Sequence, residues 1–525
     1  MSTNELVYTP VDDIPKIRDE LRAGFASGKL KSIEYRKYQL KQLAYLIKDN
    51  LERFQDAMNK DMSRPVLESR FLDVLPTLNE TLVQLNNVDE WAKPTKPPFS
   101  LNFTPMRPVI RKEPKGTVLI ISPFNYPVFL TLGPLAGAIA AGNTTLLKPS
   151  ESTPATSALM TELVHKYLDN DLVRVANGGV AETTKILELQ WDHILYTGSG
   201  RVAKIVSAAA AKHLTPVTLE LGGKSPVIID PGCDLKTAAK RILWGKVANA
   251  GQTCVAPDYV LVPKDFQETF VNALKEVYEE FYPDAEKRAG VPGAYTRLVT
   301  PQATERVAGM LEKTKGTVVF GGDIDRSDKF IAPTVVKDVK HDDSLMSDEI
   351  FGPVLPIVPV ENIDEAIKFI NERDHPLALY VFSQDDKVKT KVFNNTQSGA
   401  AVANEVVIHP GADGLPFGGI GPSGQGMHTG KYSFDLFTHL RSSLDSPSWI
   451  DYIIKFRFPP YNASKTDATM RLLKSLPARP KGPPAVAGAA GASKWWGKWF
   501  ILALAVAVAG GLTSSRLKTG IARTA

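Results

Sequence analysis

Between residues 117 and 213 the chain alternates short, continuously apolar runs with segments whose apolar residues recur at helical spacing, and this alternation restricts the fold more than any other feature. Thr117-Val118-Leu119-Ile120-Ile121-Ser122, closed by Pro123, offers no polar face and therefore reads as a strand covered on both sides, as in a parallel sheet. A second run, Thr144-Thr145-Leu146-Leu147-Lys148, ends at Pro149, and further strands are expected at 172–176 and 193–196. Helices are expected at 135–141, 156–168, 183–189 and 201–213. Repeated strand–helix units of this kind imply a doubly wound α/β layer. Pro226-Val227-Ile228-Ile229-Asp230 opens a second series, with helices near 235–247 and 265–280 and strands near 318–320 and 354–360. The chain begins helically, over 14–25 and 35–58, and shows no internal repeat.

A length of 525 residues leaves room for two or three domains with ample cores. The net charge of +5 is small for that length and comes without a basic, aromatic-interleaved stripe, so nucleic-acid binding is not expected. Two cysteines, Cys233 and Cys254, form no disulfide framework, and the eight histidines show no metal-ligand spacing. The first fifteen residues lack an apolar segment and carry Glu5, Asp12 and Asp13, which argues against a cleaved leader. At the other end, a Pro/Gly/Ala stretch leads through Trp495-Trp496-Gly497-Lys498-Trp499 into an apolar run over 500–512, followed by Arg516, Lys518 and Arg523. A span needs about 20 apolar residues, so the run reaches that length only with the tryptophans counted. Tryptophans at the interface and cations among headgroups favour a C-terminal tail anchor in a lipid bilayer over a buried helix.

Chemistry concentrates in glycine-rich turns. Cys254 ends Gly251-Gln252-Thr253-Cys254 and offers a thiol nucleophile. Glu220, in Leu219-Glu220-Leu221-Gly222-Gly223-Lys224-Ser225-Pro226, offers a base, with glycines beside it that leave room for solvent. Asn125, in Pro123-Phe124-Asn125-Tyr126-Pro127, supplies an amide N–H for an oxyanion. Gly198 and Ser199, in Thr197-Gly198-Ser199-Gly200, open a helix N-terminus toward a phosphate. A thiolate that adds, a donor that steadies the oxyanion and a base that activates water are the parts needed for covalent catalysis on a carbonyl.

With Lys148 and the run Glu349-Ile350-Phe351-Gly352-Pro353, these motifs stand in the order found in aldehyde dehydrogenases, and from about 18 to 461 the chain resembles that superfamily, most closely its class 3, membrane-anchored fatty aldehyde dehydrogenases of fungal type. The resemblance implies a Rossmann-type cofactor domain, a second α/β catalytic domain and a homodimer. It implies NAD as cofactor, with NADP possible, held by Lys148 and Glu151 at the adenosine ribose, Gly198 and Ser199 at the pyrophosphate, Glu349 at the nicotinamide ribose and Phe351 near the nicotinamide. Glu151 would repel a 2′-phosphate, which favours NAD. The Cys254 backbone N–H would join Asn125 at the oxyanion. Two departures from the family pattern are Gly200-Arg201, where many relatives have Thr and a variable residue, and Ala203, where they commonly have Gly.

The expected organisation is a cofactor domain with N-terminal helices over 1–220, a catalytic domain over 221–401, a return to the cofactor domain with a dimerisation region over 402–461, an amphipathic helix within 462–476, a linker over 477–494 and an anchor over 495–515. Tethering to a bilayer favours lipid-partitioned substrates, and the resemblance points the same way, to NAD-dependent oxidation of medium- and long-chain fatty aldehydes. An aromatic aldehyde of the 4-hydroxybenzaldehyde kind, in quinone synthesis, is the alternative substrate; a catalytically silent membrane scaffold is the alternative class. A single-pass anchor with the enzyme facing the cytosol suits the mitochondrial outer membrane, endoplasmic reticulum or peroxisome.

Overall fold

In a computed structural model, which describes residues 6–100, 103–283, 294–470, 475–480 and 482, the chain divides into two compact units at Asp445/Ser446. The first unit contains the strands β1 (Val109–Pro114), β2 (Thr117–Ile121), β3 (Thr144–Lys148), β4 (Val173–Val175), β5 (His193–Thr197), β6 (Val217–Glu220), β7 (Pro226–Ile229), β8 (Tyr259–Pro263), β9 (Thr317–Phe320), β10 (Ile324–Asp325), β11 (Phe330–Ile331), β12 (Thr334–Lys337), β13 (Val354–Val360), β14 (Ala378–Phe382), β15 (Ala400–Ala403), β16 (Gly424–Gln425) and β17 (Thr438–Ser443). Two sheets dominate. One runs β16-β6-β5-β2-β3-β4, parallel except for β16. The other runs β15-β14-β7-β8-β13-β12-β9, parallel except for β9.

The apolar run of β2 is buried at every position because its two faces serve different layers. Val118 and Ile120 pack with Leu40, Leu43, Phe54 and Leu135 from helices on one side. Leu119 and Ile121 pack with Ile17, Leu21, Ala203 and Val206 from helices on the other. Period-two alternation inside an unbroken apolar stretch is thus the physical content of double winding. The second sheet has its own core, built on Val227, Val260, Leu261, Ile357, Leu379 and Val381.

Helices expected from sequence occur at Pro154–Tyr167, Val180–Glu188 and Gly200–Ala211, each shifted by one to three residues at an end. One shift is larger. The helix expected over 135–141 begins at Phe129 and carries Pro134 inside it. Its start is set by Asp73, whose carboxylate accepts from the Phe129 amide at 2.6 Å, a negative charge placed where the helix dipole favours one. The strand at 400–403 is the edge of the second sheet beside β14, and the chain rejoins the first sheet at β16, where Gly424 pairs with Glu220. β1 and β17 form a separate antiparallel ribbon that the apolar pattern did not announce.

The second unit holds short turns at Ser448–Ile450, Asp451–Ile454 and Lys455–Arg457 and a helix at Ala463–Thr469. That helix occupies the first part of the expected 462–476 segment; residues 471–474 lie outside the described residues, and 475–480 have no regular structure. The expected anchor over 495–515 also lies outside the described residues, among which no helix is long and apolar enough to cross a membrane.

Candidate active site

The parallel strands of the first sheet end together. Ile121 pairs with both Lys148 and Tyr196, and Thr197 pairs with Glu220, so the turns after β2, β3, β5 and β6 open at one carboxyl edge, where α/β sheets bind ligands. At the end of β3, Lys148 is buried and its Nζ donates to Glu151 Oε2 at 2.7 Å. After β5, Gly198 donates its amide to the Glu220 carbonyl at 3.0 Å, and Ser199 caps the helix Gly200–Ala211. A Cβ on Gly200 would meet nothing within 4 Å, so glycine in place of threonine there relieves no crowding.

Glu220 is 1 % exposed, and neither carboxylate oxygen has a hydrogen-bond partner among the described residues. Burial holds its carboxyl well above the usual carboxylate range. Cys254 is a free thiol on the loop that follows the helix Leu235–Val247. That loop passes through three consecutive left-handed residues, Asn249 (φ 52°), Ala250 (φ 52°) and Gly251 (φ 72°), a conformation that costs energy at the non-glycine positions. Glycine is required at 251, because a Cβ would lie 2.2 Å from the Gly352 carbonyl oxygen. This close approach brings the Cys254 loop against the 349–352 turn.

Burial pushes the Cys254 thiol up to about 12, with the Glu349 and then the Glu220 carboxylates adding to the effect and the backbone N–H groups of Cys254 and Val255 opposing it. Glu349 is itself raised to about 8, by burial first and by Asp258 second, while an N–H from Gly223 and the Lys224 and Lys246 ammoniums oppose. Its Oε1 has no hydrogen-bond partner. The Cys254 thiol thus shares a field with the buried Glu220 and the half-buried Glu349 carboxyls. Either carboxyl, once it has lost its own proton, can take the thiol's, an arrangement suited to making a thiolate on demand.

Asn125, 3 % exposed, follows β2, and its side-chain amide makes no hydrogen bond among the described residues. Its neighbour Phe124 meets Phe351 edge-on, with ring centroids 5.9 Å apart, and Phe351 is held at φ 46°. The structure therefore joins Phe351 to the Asn125 loop through Phe124 and the Cys254 loop to it through Asn249, and sets Glu220, Lys148, Glu151, Gly198 and Ser199 at the adjoining strand ends. These features fit a dinucleotide: an exposed, capped helix N-terminus for the pyrophosphate, a Lys148–Glu151 pair at the sheet edge and an unpartnered Glu349 oxygen for a ribose hydroxyl.

Several residues around the site carried no signal of their own in the sequence. Asp258 accepts from the Ile350 amide at 3.0 Å and from Lys224 Nζ at 2.5 Å, with Lys246 Nζ 3.7 Å away, and so fastens the 349–352 turn to the strand after Cys254. Tyr380 donates from its hydroxyl to the Val255 carbonyl at 2.5 Å. Arg64 and Asn249 lie beneath Asn125. Only Lys224 sat within a motif that drew attention.

Comparison with known proteins agrees with this geometry. Residues 7–443 match the model of the aldehyde dehydrogenase family. Aldehyde dehydrogenase family 3 member A2 of Mus musculus is 43% identical over 457 residues, covering 87% of this chain and 93% of that protein. The protein named aldehyde dehydrogenase, dimeric NADP-preferring, of Canis lupus familiaris is 42% identical over 86% of this chain and 99% of its own. Among solved structures, the substrate-bound state of Staphylococcus aureus AldH superposes with a TM-score of 0.84 at 38% identity, covering 88% of this chain and 99% of that one.

Proposed function

We propose, from the premise that this chain belongs to the aldehyde dehydrogenase family, that it is an NAD(P)-dependent enzyme oxidising medium- and long-chain aliphatic aldehydes to carboxylic acids through a covalent adduct on Cys254. The observation that carries the reading is the close seating of the Cys254 loop on the 349–352 turn, where Gly251 leaves no room for a Cβ, together with a buried, unpartnered Glu220 carboxylate at the carboxyl edge of a doubly wound sheet. Cys254 gives its proton to a carboxylate and its sulfur adds to the aldehyde carbon, forming a thiohemiacetal. The Asn125 amide and the Cys254 backbone N–H donate to the resulting oxyanion; one such donor is worth about 3 kcal/mol in the transition state. A nicotinamide cofactor, held by the residues named below, would supply the acceptor for the hydride that leaves that carbon. A thioester on Cys254 remains, and Glu220 removes a proton from the water that hydrolyses it.

The cofactor's placement rests on Lys148, Glu151, Gly198, Ser199, Glu349 and Phe351 in the roles that resemblance to the family implies. Gly222 bears on this, because a Cβ there would lie 2.6 Å from Glu349 Oε1 and 2.7 Å from Oε2. Gly222→Ala is expected to displace that carboxylate and raise the KM for NAD about tenfold, the scale of losing one hydrogen bond to a charged group. An unchanged KM would remove Glu349 from the cofactor site.

The choice of fatty aldehyde rests on the apolar tail over 500–512 with its Trp and Lys/Arg flanks, which we take as a single-pass anchor holding the enzyme at a cytosol-facing membrane of the mitochondrion, endoplasmic reticulum or peroxisome. We further propose a homodimer, since the canine relative is named dimeric, and a division into cofactor and catalytic domains near residue 220. Deleting 495–525 is expected to release the protein from carbonate-washed membranes, preserve hexanal oxidation and depress hexadecanal oxidation at a vesicle surface, where tethering raises effective concentration. Continued pelleting would refute the anchor. Activity on 4-hydroxybenzaldehyde exceeding that on decanal and hexadecanal would replace the fatty substrate with the aromatic one.

A further inference from the structure

Arg64, just before the helix Val66–Ser69, is fully buried and sits beneath both halves of the reaction centre. Its Nε and Nη2 donate to Asn249 Oδ1 at 3.0 and 2.6 Å, Nη2 also donates to the Asn125 carbonyl, and Nη1 donates to Asp73 Oδ2 at 3.1 Å. Asn249 completes the connection, donating from Nδ2 to the Asn125 carbonyl at 2.9 Å and to the Gln252 carbonyl at 3.1 Å. The guanidinium lies 5.1 Å from the Tyr126 ring centre, and the Tyr126 hydroxyl shares a 2.6 Å hydrogen bond with Thr253, beside Cys254. The Asn249 amide is held from below as well, donating to Glu68 Oε2 at 3.0 Å.

Two loops therefore converge on one guanidinium. The Asn125 loop leaves the first sheet, the Cys254 loop leads into β8 of the second, and the strained turn at Asn249–Gly251 has no regular ladder to hold it. A planar fork can satisfy a carbonyl, an amide oxygen and a carboxylate at once, which suits fixing two loops at a set distance. We propose that Arg64, acting through Asn249, is the positioning residue that sets the distance and angle between the Asn125 amide and the Cys254 sulfur, and so governs the rate of acylation. The inference rests on the assignment of Cys254 as nucleophile and Asn125 as oxyanion donor.

Three full-length variants test it: Arg64→Met, Arg64→Lys and Asn249→Gly. The last removes the connecting amide while keeping a residue at ease at φ 52°, so it should fold even if Arg64→Met, which strands the buried Asp73, does not. The readouts are the rate of the first-turnover NADH burst with decanal, the Kd for NAD and the melting temperature. Arg64→Met and Asn249→Gly are expected to slow the burst about 100-fold, the effect of an ångström-scale misplacement of reacting groups, with the Kd for NAD unchanged. Arg64→Lys, which keeps a charge for Asp73 but lacks the fork on Asn249 Oδ1, should restore the melting temperature and leave most of the burst loss in place. A wild-type burst rate in folded Asn249→Gly, or burst losses that vanish once NAD binding is saturated, would overturn the proposal. An active Cys254→Ala would instead remove the mechanism on which it rests.

Discussion

Cys254→Ala is expected to lower aldehyde oxidation by about 10⁴-fold or more, the scale on which removing a nucleophile acts, while leaving NAD affinity within twofold or so of wild type. The reason is positional. The residues offered to the dinucleotide lie at the ends of β3 and β5 and in the 349–351 turn, whereas Cys254 reaches the site on its own loop. Alanine also removes the thiol from the shared field of Glu220 and Glu349 and from the backbone N–H groups of Cys254 and Val255, neither of these amides being offered to the dinucleotide. Steady-state kinetics with hexanal and a fluorescence titration with NADH check the two halves separately. Residual turnover near the wild-type rate would exclude Cys254 as the nucleophile.

Glu220→Gln should split the reaction in two. The first turnover should still release NADH, but hydrolysis of the thioester should fall about 10²- to 10⁴-fold, the usual contribution of a positioned base. A burst followed by a slow steady rate is the expected trace. The pH dependence follows from the raised carboxyl: below its folded pKa Glu220 is protonated and cannot accept a proton from water, so hydrolysis in the wild type should climb as pH rises through that value. In Glu220→Gln this climb should disappear. A variant with the wild-type steady rate and the wild-type pH profile would leave Glu220 without the assigned role.

Strands and double winding were legible in the sequence, and the candidates Cys254, Glu220 and Asn125 stood out there, because each is marked locally. β2 and β3 are unbroken apolar runs ended by prolines, and Asn125, Glu220 and Cys254 sit in short glycine- or proline-marked turns. The residues proposed to hold the cofactor, Lys148, Glu151, Glu349 and Phe351, carry no such local mark and entered through family resemblance. What stayed hidden depends on distance along the chain. Arg64 reaches Asn125 across 61 positions and Asn249 across 185, and nothing beside it in sequence distinguishes it from a surface arginine. The early start of the helix Phe129–Ala141 escaped notice for the same reason, since its capping carboxylate is Asp73, 56 positions away. The β1–β17 ribbon has exposed positions such as Leu440 and pairs residues more than 300 positions apart, so no periodicity in either strand reveals it.

Intact-protein and peptide mass spectrometry on full-length Glu220→Gln, mixed with NAD and decanal and quenched after the burst, tests the covalent mechanism most directly. The account predicts one decanoyl group per active chain, located on the peptide that contains Cys254 and lost on treatment with hydroxylamine. An NADH burst of full amplitude with no acyl group on Cys254, or with the acyl group on another residue, would contradict it.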